Sequence, residues 1–173
     1  VRMFALALAL AVHDPVYQDM AVKFMEHALL IAGAMNNGSD ADLWNEQDGF
    51  FYDHLRRPDG SRVPITTRTM VGFTPLFAVS AGQNDFLARF PEVRARLDWF
   101  TEHRPDLTNK IAVLRSTEGK TNSMLALVHP HQLRRLLAYM LDENEFLSPY
   151  GLRAVSRVYG EHPLIVDVGK YHW

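Results

Sequence analysis

Cysteine is absent from the 173 residues, which excludes a disulfide framework, thiolate metal sites and a cysteine nucleophile, and fits a reducing, cytoplasmic compartment. An excess of one charge is missing as well. Eighteen basic residues against 20 acidic ones leave a net charge of −2, so nothing forms the electrostatic footprint of a nucleic-acid or anionic-membrane binder. No apolar run approaches the roughly 20 residues of a membrane span. The stretch from Val1 to Val12 has the apolar character of a signal-peptide core, but only Arg2 precedes it and no small-residue cleavage site follows. A helix is predicted there instead. Neither a glycine-rich phosphate loop nor a Gly-x-Ser-x-Gly elbow occurs. An initiating methionine is also lacking, and Tyr171-His172-Trp173 carries no terminator, from which a piece of a longer chain is expected.

What is present is globular material, 47% hydrophobic and long enough to bury one core. Asp14-Pro15 supplies the acceptor and first-turn proline of a helix start. Val16, Met20, Phe24, Ala28, Ile31 and Met35 then repeat on one face as far as Asn36-Asn37-Gly38, which tolerates a left-handed stop. Pro91 opens another helix, with Val93, Leu97 and Phe100 inward and Arg94, Arg96 and Glu102 outward. His129-Pro130 starts one through Leu133, Leu136, Leu137, Met140 and Leu141, and Ser148-Pro149 starts one carrying Leu152 and Val155 to Gly160. Thr69 to Ser80 is apolar at helical spacing but interrupted by Pro75. One short β-hairpin is predicted about the turn Arg57-Pro58-Asp59-Gly60, between Phe50–Leu55 and Arg62–Thr66. Periodicity fails between Arg104 and Ser123, and the polar run Ser116-Thr117-Glu118-Gly119-Lys120 predicts a long connection.

The stretch from Asp42 to Asp53 packs four carboxylates and four aromatic rings into a loop and strand. Sugars present hydroxyl edges and apolar faces, which suits rings set beside carboxylates. The competing reading makes Phe50, Phe51 and Tyr52 hairpin core and Asp48-Gly49 its turn. Asp40 and Asp42 alternate as in a calcium loop, but Trp44 replaces the third ligand and the required glycine is missing. His129 and His131 would share a zinc ion only on an extended segment, which Pro130 opposes. No metal is therefore expected. Asp142, Glu143 and Glu145 gather where a helix ends, against its dipole, which asks for some other reason to be there.

Two segments carry a family resemblance: LWNEQDGFFYDHLRRPDGSRVPITTRTMVGFTPLFAV from Leu43 to Val79, and LRRLLAYMLDENEFLSPYGLRAVSR from Leu133 to Arg157. Together with KFMEHALLIAGAMN and HRPDL they resemble glycoside hydrolase family 63, the mannosyl-oligosaccharide glucosidase-like proteins, over nearly the whole chain to about Pro163. From Leu164 to Trp173 the family pattern is not recognisable. The resemblance implies a mainly α fold, part of an (α/α)6 toroid with one short β-hairpin, of which residues 1–173 are a fragment of a single domain. It further implies inverting hydrolysis of an α-glucosidic or related bond, an oligosaccharide or glycoside substrate, the remainder of the parent chain as partner, and no cofactor. The family's general acid lies upstream and its general base near the end of the toroid, so catalytic residues are not identified here and the chain alone is expected to be inactive. The implied sugar contacts are Trp44, Glu46 and Asp48 in one loop and Glu145, Ser148 and Tyr150 in another, with Tyr52 and Asp53 holding the hairpin and Arg68 pairing with an acid. The alternative is a non-enzymatic helical scaffold or partner-binding module in which the same aromatics are core.

Overall fold

The computed structural model of the chain describes residues 2–36, 43–83, 87–115, 122–160, 163, 167–168 and 171–172. The polar run at 116–120, the Asp40/Asp42 pair and Asn37-Gly38 lie outside the described residues. In chain order the elements are α1 (Arg2–Ala11), α2 (Tyr17–Asn36), β1 (Trp44–Asn45), β2 (Phe50–Phe51), β3 (Asp53–Arg56), β4 (Arg62–Ile65), a 3₁₀ helix (Met70–Phe77), β5 (Val79–Gln83), α3 (Pro91–His103), α4 (Pro105–Thr108), β6 (Ala112–Arg115), β7 (Asn122–Ala126), α5 (Pro130–Leu141), β8 (Leu147–Ser148), β9 (Gly151–Leu152), a second 3₁₀ helix (Arg157–Gly160), β10 (Asp167–Val168) and β11 (Tyr171–His172). Among the described residues no helix is long and apolar enough to cross a membrane. The chain divides into two compact units, one of residues 1–37 and 76–129, the other of residues 38–75 and 130–173.

In the first unit α1 and α2 pack together on small side chains. Ala7, Leu8 and Ala11 meet Ala21, Phe90 and Val93 in one cluster, while Met25, Leu29, Phe100 and Leu107 form another, with Phe4 packed against both. Small residues at a helix contact let the two backbones approach closely, and the larger side chains flank them. The buried face of α2 is accordingly Ala21, Met25, Leu29, Ala32 and Gly33. This corrects the predicted face by one residue: Val16 is 62% exposed and Ile31 55%. Both faces are apolar, so periodicity alone does not choose between them. The Asp14 carboxylate accepts the Val16 N–H at 3.0 Å ahead of α2, and Arg96 of α3 pairs with Glu26 of α2 at 2.8 Å. A three-stranded antiparallel sheet of order β5-β7-β6 completes the unit.

The second unit is organised around rings. Phe73 and Phe146 meet edge to face at 4.7 Å, Phe50 meets Phe73 at 5.2 Å and Tyr139 at 5.6 Å, and Phe50 and Phe146 lie parallel at 6.0 Å. Leu136 of α5 and the rings of Phe50, Phe73 and Phe146 are fully buried. The predicted hairpin is present, β3 pairing with β4 from Asp53↔Ile65 to Arg56↔Arg62. Its turn is closed by Asp59, whose carboxylate accepts the Ser61 N–H at 2.8 Å and hydroxyl at 2.6 Å.

The expectation of a mainly α fragment of an (α/α)6 toroid with one hairpin is overturned. Eleven strands in five small antiparallel sheets lie among the described residues, where one hairpin was expected. The helix predicted after Ser148-Pro149 is instead the hairpin β8–β9, because Gly151 takes φ +119, a backbone conformation closed to a helix, and pairs with Ser148. Strands of two residues are too short to show alternation, so they leave no periodic trace in the sequence. Thr69 to Ser80 is a 3₁₀ helix and strand rather than an α-helix broken at Thr74. On α5 only Gln132 and Leu136 are buried, while Leu133, Leu137 and Leu141 of the predicted apolar face are exposed.

Gly72 provides a test of this packing. A Cβ there would lie 2.3 Å from Phe50 Cε1 and 2.7 Å from the Phe51 carbonyl oxygen. Gly72→Ala is expected to destabilise the protein by about 1–3 kcal/mol through overpacking, whereas Gly160→Ala, which meets open space, is expected to stay within about 0.5 kcal/mol. Urea unfolding of the two variants measures the contrast.

Candidate functional site

The six candidate sugar contacts all fall in the second unit, on two supports. β1 and β2 pair as Trp44↔Phe51 and Asn45↔Phe50, and residues 46–49 turn between them. The Asn45 side-chain oxygen accepts the Asp48 N–H at 2.9 Å, its carbonyl accepts the Gly49 N–H at 2.8 Å, and Gly49 takes φ +71. An asparagine side chain that caps the turn's backbone and a glycine at its left-handed position are the chemistry such a turn requires.

Arg135 of α5 grips this turn. Its guanidinium donates to the carbonyls of Glu46 and Gln47, the latter at 2.6 Å, and approaches the Glu46 carboxylate at 3.6 Å. Its Nε lies 2.0 Å from where a Gly49 Cβ would stand, so a side chain at that position would have to displace the guanidinium. The half-buried Trp44 ring packs on Phe51 at 4.8 Å, has His131 edge-on at 6.4 Å and the Arg135 guanidinium at 6.0 Å, and donates its Nε1–H to the Glu46 carboxylate. Trp44 and Glu46 are thus brought together at the surface, with an indole, a carboxylate and a guanidinium side by side. Asp48 turns inward instead, accepting the Tyr52 hydroxyl at 2.9 Å while its carbonyl accepts the Tyr139 hydroxyl at 2.7 Å.

The second group lies beyond α5 and divides differently. Glu145 is 9% exposed. Its carboxylate receives both arms of Arg68, Nε at 3.1 Å and Nη2 at 2.8 Å, and the Ser156 hydroxyl. The Arg68 guanidinium also lies over the Tyr139 ring at 4.9 Å. Burial alone lowers the Arg68 pKa, but the hydrogen bonds it shares with Glu145 and Tyr52 outweigh that and hold the guanidinium more firmly charged than usual. The Ser148 hydroxyl donates to the Gly151 carbonyl at 2.8 Å and accepts the Tyr150 N–H at 3.2 Å, stitching the β8–β9 turn. Tyr150, at the tip of that turn, is 100% exposed.

Sequence reasoning anticipated an acid partner for Arg68, though not which acid, and it missed Arg135 and Tyr139. Both stand on one stripe of α5 with His131, each four residues from the next, so i,i+4 spacing of polar and aromatic side chains was the available signal. Among the described residues no group of three or more His, Asp or Glu side chains is placed to hold a metal ion.

Tyr52 ties this network to pH. Burial first, and then the hydrogen bond to Asp48, push its phenol well above the ordinary 10.0. A phenol raised in the folded state contributes stability that is fully present below about pH 10 and is lost as pH climbs above that value. Tyr52→Phe is expected to cost about 1 kcal/mol at neutral pH and to flatten the alkaline fall in stability, as read by urea unfolding between pH 8 and about pH 11.

YMR196W, an uncharacterized protein of Saccharomyces cerevisiae, is similar to this chain, with 35% identity over 181 residues covering 96% of the chain. The chain spans 16% of the length of that relative. No family model and no solved structure matches the chain.

Proposed function

We propose that the chain is part of a glycoside hydrolase acting on α-glucosidic or related bonds by inversion, and that it receives the sugar at Trp44 and Glu46. One observation carries this reading. Residues 43–75 and 133–157, from the two segments that resemble the hydrolase family, belong to one compact unit, and that unit holds a half-buried indole against an exposed carboxylate. The apolar face of a pyranose suits the indole, and its hydroxyl edge suits Glu46 and His131. Arg135 fixes the turn that carries both groups, which lowers the ordering cost of binding.

Inversion needs two carboxyl groups roughly 6.5–9.5 Å apart, one protonating the leaving oxygen and one activating water. Glu145 is occupied by Arg68 and Ser156, and Asp48 by Tyr52, so neither is offered that work. General acid or base assistance contributes about 10² to 10⁴ in rate, and this chain is expected to bind without turning over. The second reading, a non-enzymatic partner-binding module, draws support from Tyr150, whose fully exposed ring on a short hairpin is the kind of anchor protein interfaces use.

The test titrates the chain with α-linked gluco- and manno-oligosaccharides while the indole N–H signals of Trp44 and Trp99 are followed by NMR. A saturable shift confined to Trp44, abolished by Trp44→Ala, with no monosaccharide released, is the expected outcome. A Trp44 signal unmoved by every sugar would leave the hydrolase reading without its binding surface and favour the partner-binding module.

A further inference from the structure

α5 leaves an apolar row uncovered. Leu133, Leu137 and Leu141 recur every four residues along this 12-residue helix, turned away from the buried Gln132 and Leu136, and all three are exposed. At 3.6 residues per turn, side chains four apart stand one above the other, and such a row is the ridge by which one helix packs into the groove of another.

The charges around this row are unevenly placed. Arg134 is exposed in the first half of α5, while Asp142 and Glu143, also exposed, follow directly on its last residue. Acids in that place oppose the dipole of their own helix. The third acid of the group, Glu145, is accounted for by Arg68, and one Asp142 oxygen accepts the Asn144 N–H at 2.8 Å. Among the described residues the Arg134 guanidinium and the Glu143 carboxylate enter no hydrogen bond or ion pair.

We propose that the row is covered by a second copy of this chain, the two α5 helices packing antiparallel about a two-fold axis at Leu137. That pairing sets Leu137 against itself and Leu133 against Leu141 of the second copy, so every leucine of the row meets another. It also sets Arg134 level with Met140 of the second copy, within about 5 Å along the axis of that copy's Asp142 and Glu143, at a rise of about 1.5 Å per residue. Each acid pair then stands beside the first turn of the other α5, where the dipole favours negative charge. Both halves of this complementarity lie on one face, which is what an isologous two-fold contact demands. A partner of unrelated sequence would need the same leucine spacing and the opposite charge order, whereas a second copy turned end for end supplies both. A contact made by one helix about 18 Å long is smaller than the standard interface of about 800 Å² per partner, so the dimer is a weak one, with a Kd on the order of 100 μM.

The experiment is sedimentation velocity on the intact chain from about 10 μM to about 1 mM, a range that brackets such a Kd. A reversible monomer–dimer equilibrium is expected. Leu137→Glu, which puts two carboxylates at the two-fold axis, should abolish it, and Leu137→Ala should weaken it at least about tenfold. The melting temperature of each variant, taken at low concentration, separates lost association from lost folding. Arg134→Glu and Glu143→Lys should each weaken the dimer about fivefold, and the two changes together should restore it. Within one copy these residues are nine positions apart, about 13 Å along the helix, so restoration reports a contact between copies. A chain that stays monomeric throughout would overturn the proposal and leave the row to a different partner. Open-ended assembly, a dimer indifferent to Leu137→Glu, or a charge swap that fails to restore association would overturn it as well. None of these results bears on whether Trp44 binds a sugar.

Discussion

The ion pair between Arg68 and Glu145 is the interaction on which the second unit depends. It joins residues 77 positions apart, one just after β4 and the other just after α5. Around it the backbone closes: Thr69 bridges Val155, the Met70 N–H donates to the Ala154 carbonyl at 2.8 Å, and the Ser156 N–H donates to the Arg68 carbonyl at 3.0 Å. Tyr159 adds its hydroxyl, donating to Thr66 and accepting the Arg68 N–H. Two charges with side chains only 18% and 11% exposed persist there because the carboxylate is met by a bidentate guanidinium and a hydroxyl, and the guanidinium by a tyrosine face.

The same unit also holds the surface cluster. α5 buries Leu136, sets Tyr139 edge-on to Phe50 and presents Arg135 to the turn that carries Trp44 and Glu46. Charge has two uses in this unit. Glu145 and Asp48 hold the fold from inside, while Glu46 stands at the surface beside an indole. That division is the physical basis for placing the proposed sugar contact at Trp44 rather than in the second loop.

Much of this was legible in the sequence where a residue type leaves no choice. Pro91 and Pro130 open α3 and α5, and Pro58-Asp59-Gly60 closes the β3–β4 turn. Other features were not legible because the local signal is ambiguous. α2 is apolar on two faces, and it is the face of the small Ala21 that meets α1. The two-residue strands β1, β2, β8 and β9 are too short for alternation, and each pairs only with its neighbour across a short turn. At the site, an acid partner for Arg68 was foreseeable from charge, but the choice of Glu145 over Asp142 or Glu143 depends on which carboxylate the turn after α5 directs inward, and a linear pattern of acids does not contain that direction.

The most direct test of the account is a double-mutant cycle of Arg68→Met and Glu145→Gln, with unfolding free energies joined to amide exchange at Met70 and Ser156. Each single change should cost about 3–5 kcal/mol by leaving its partner charged or polar and buried. The double variant should cost less than the sum by more than about 1 kcal/mol, and exchange at Met70 and Ser156 should accelerate in all three variants. Additive costs below about 1 kcal/mol for each single change, with exchange at those two amides unaltered, would show that the unit holds together without this pair.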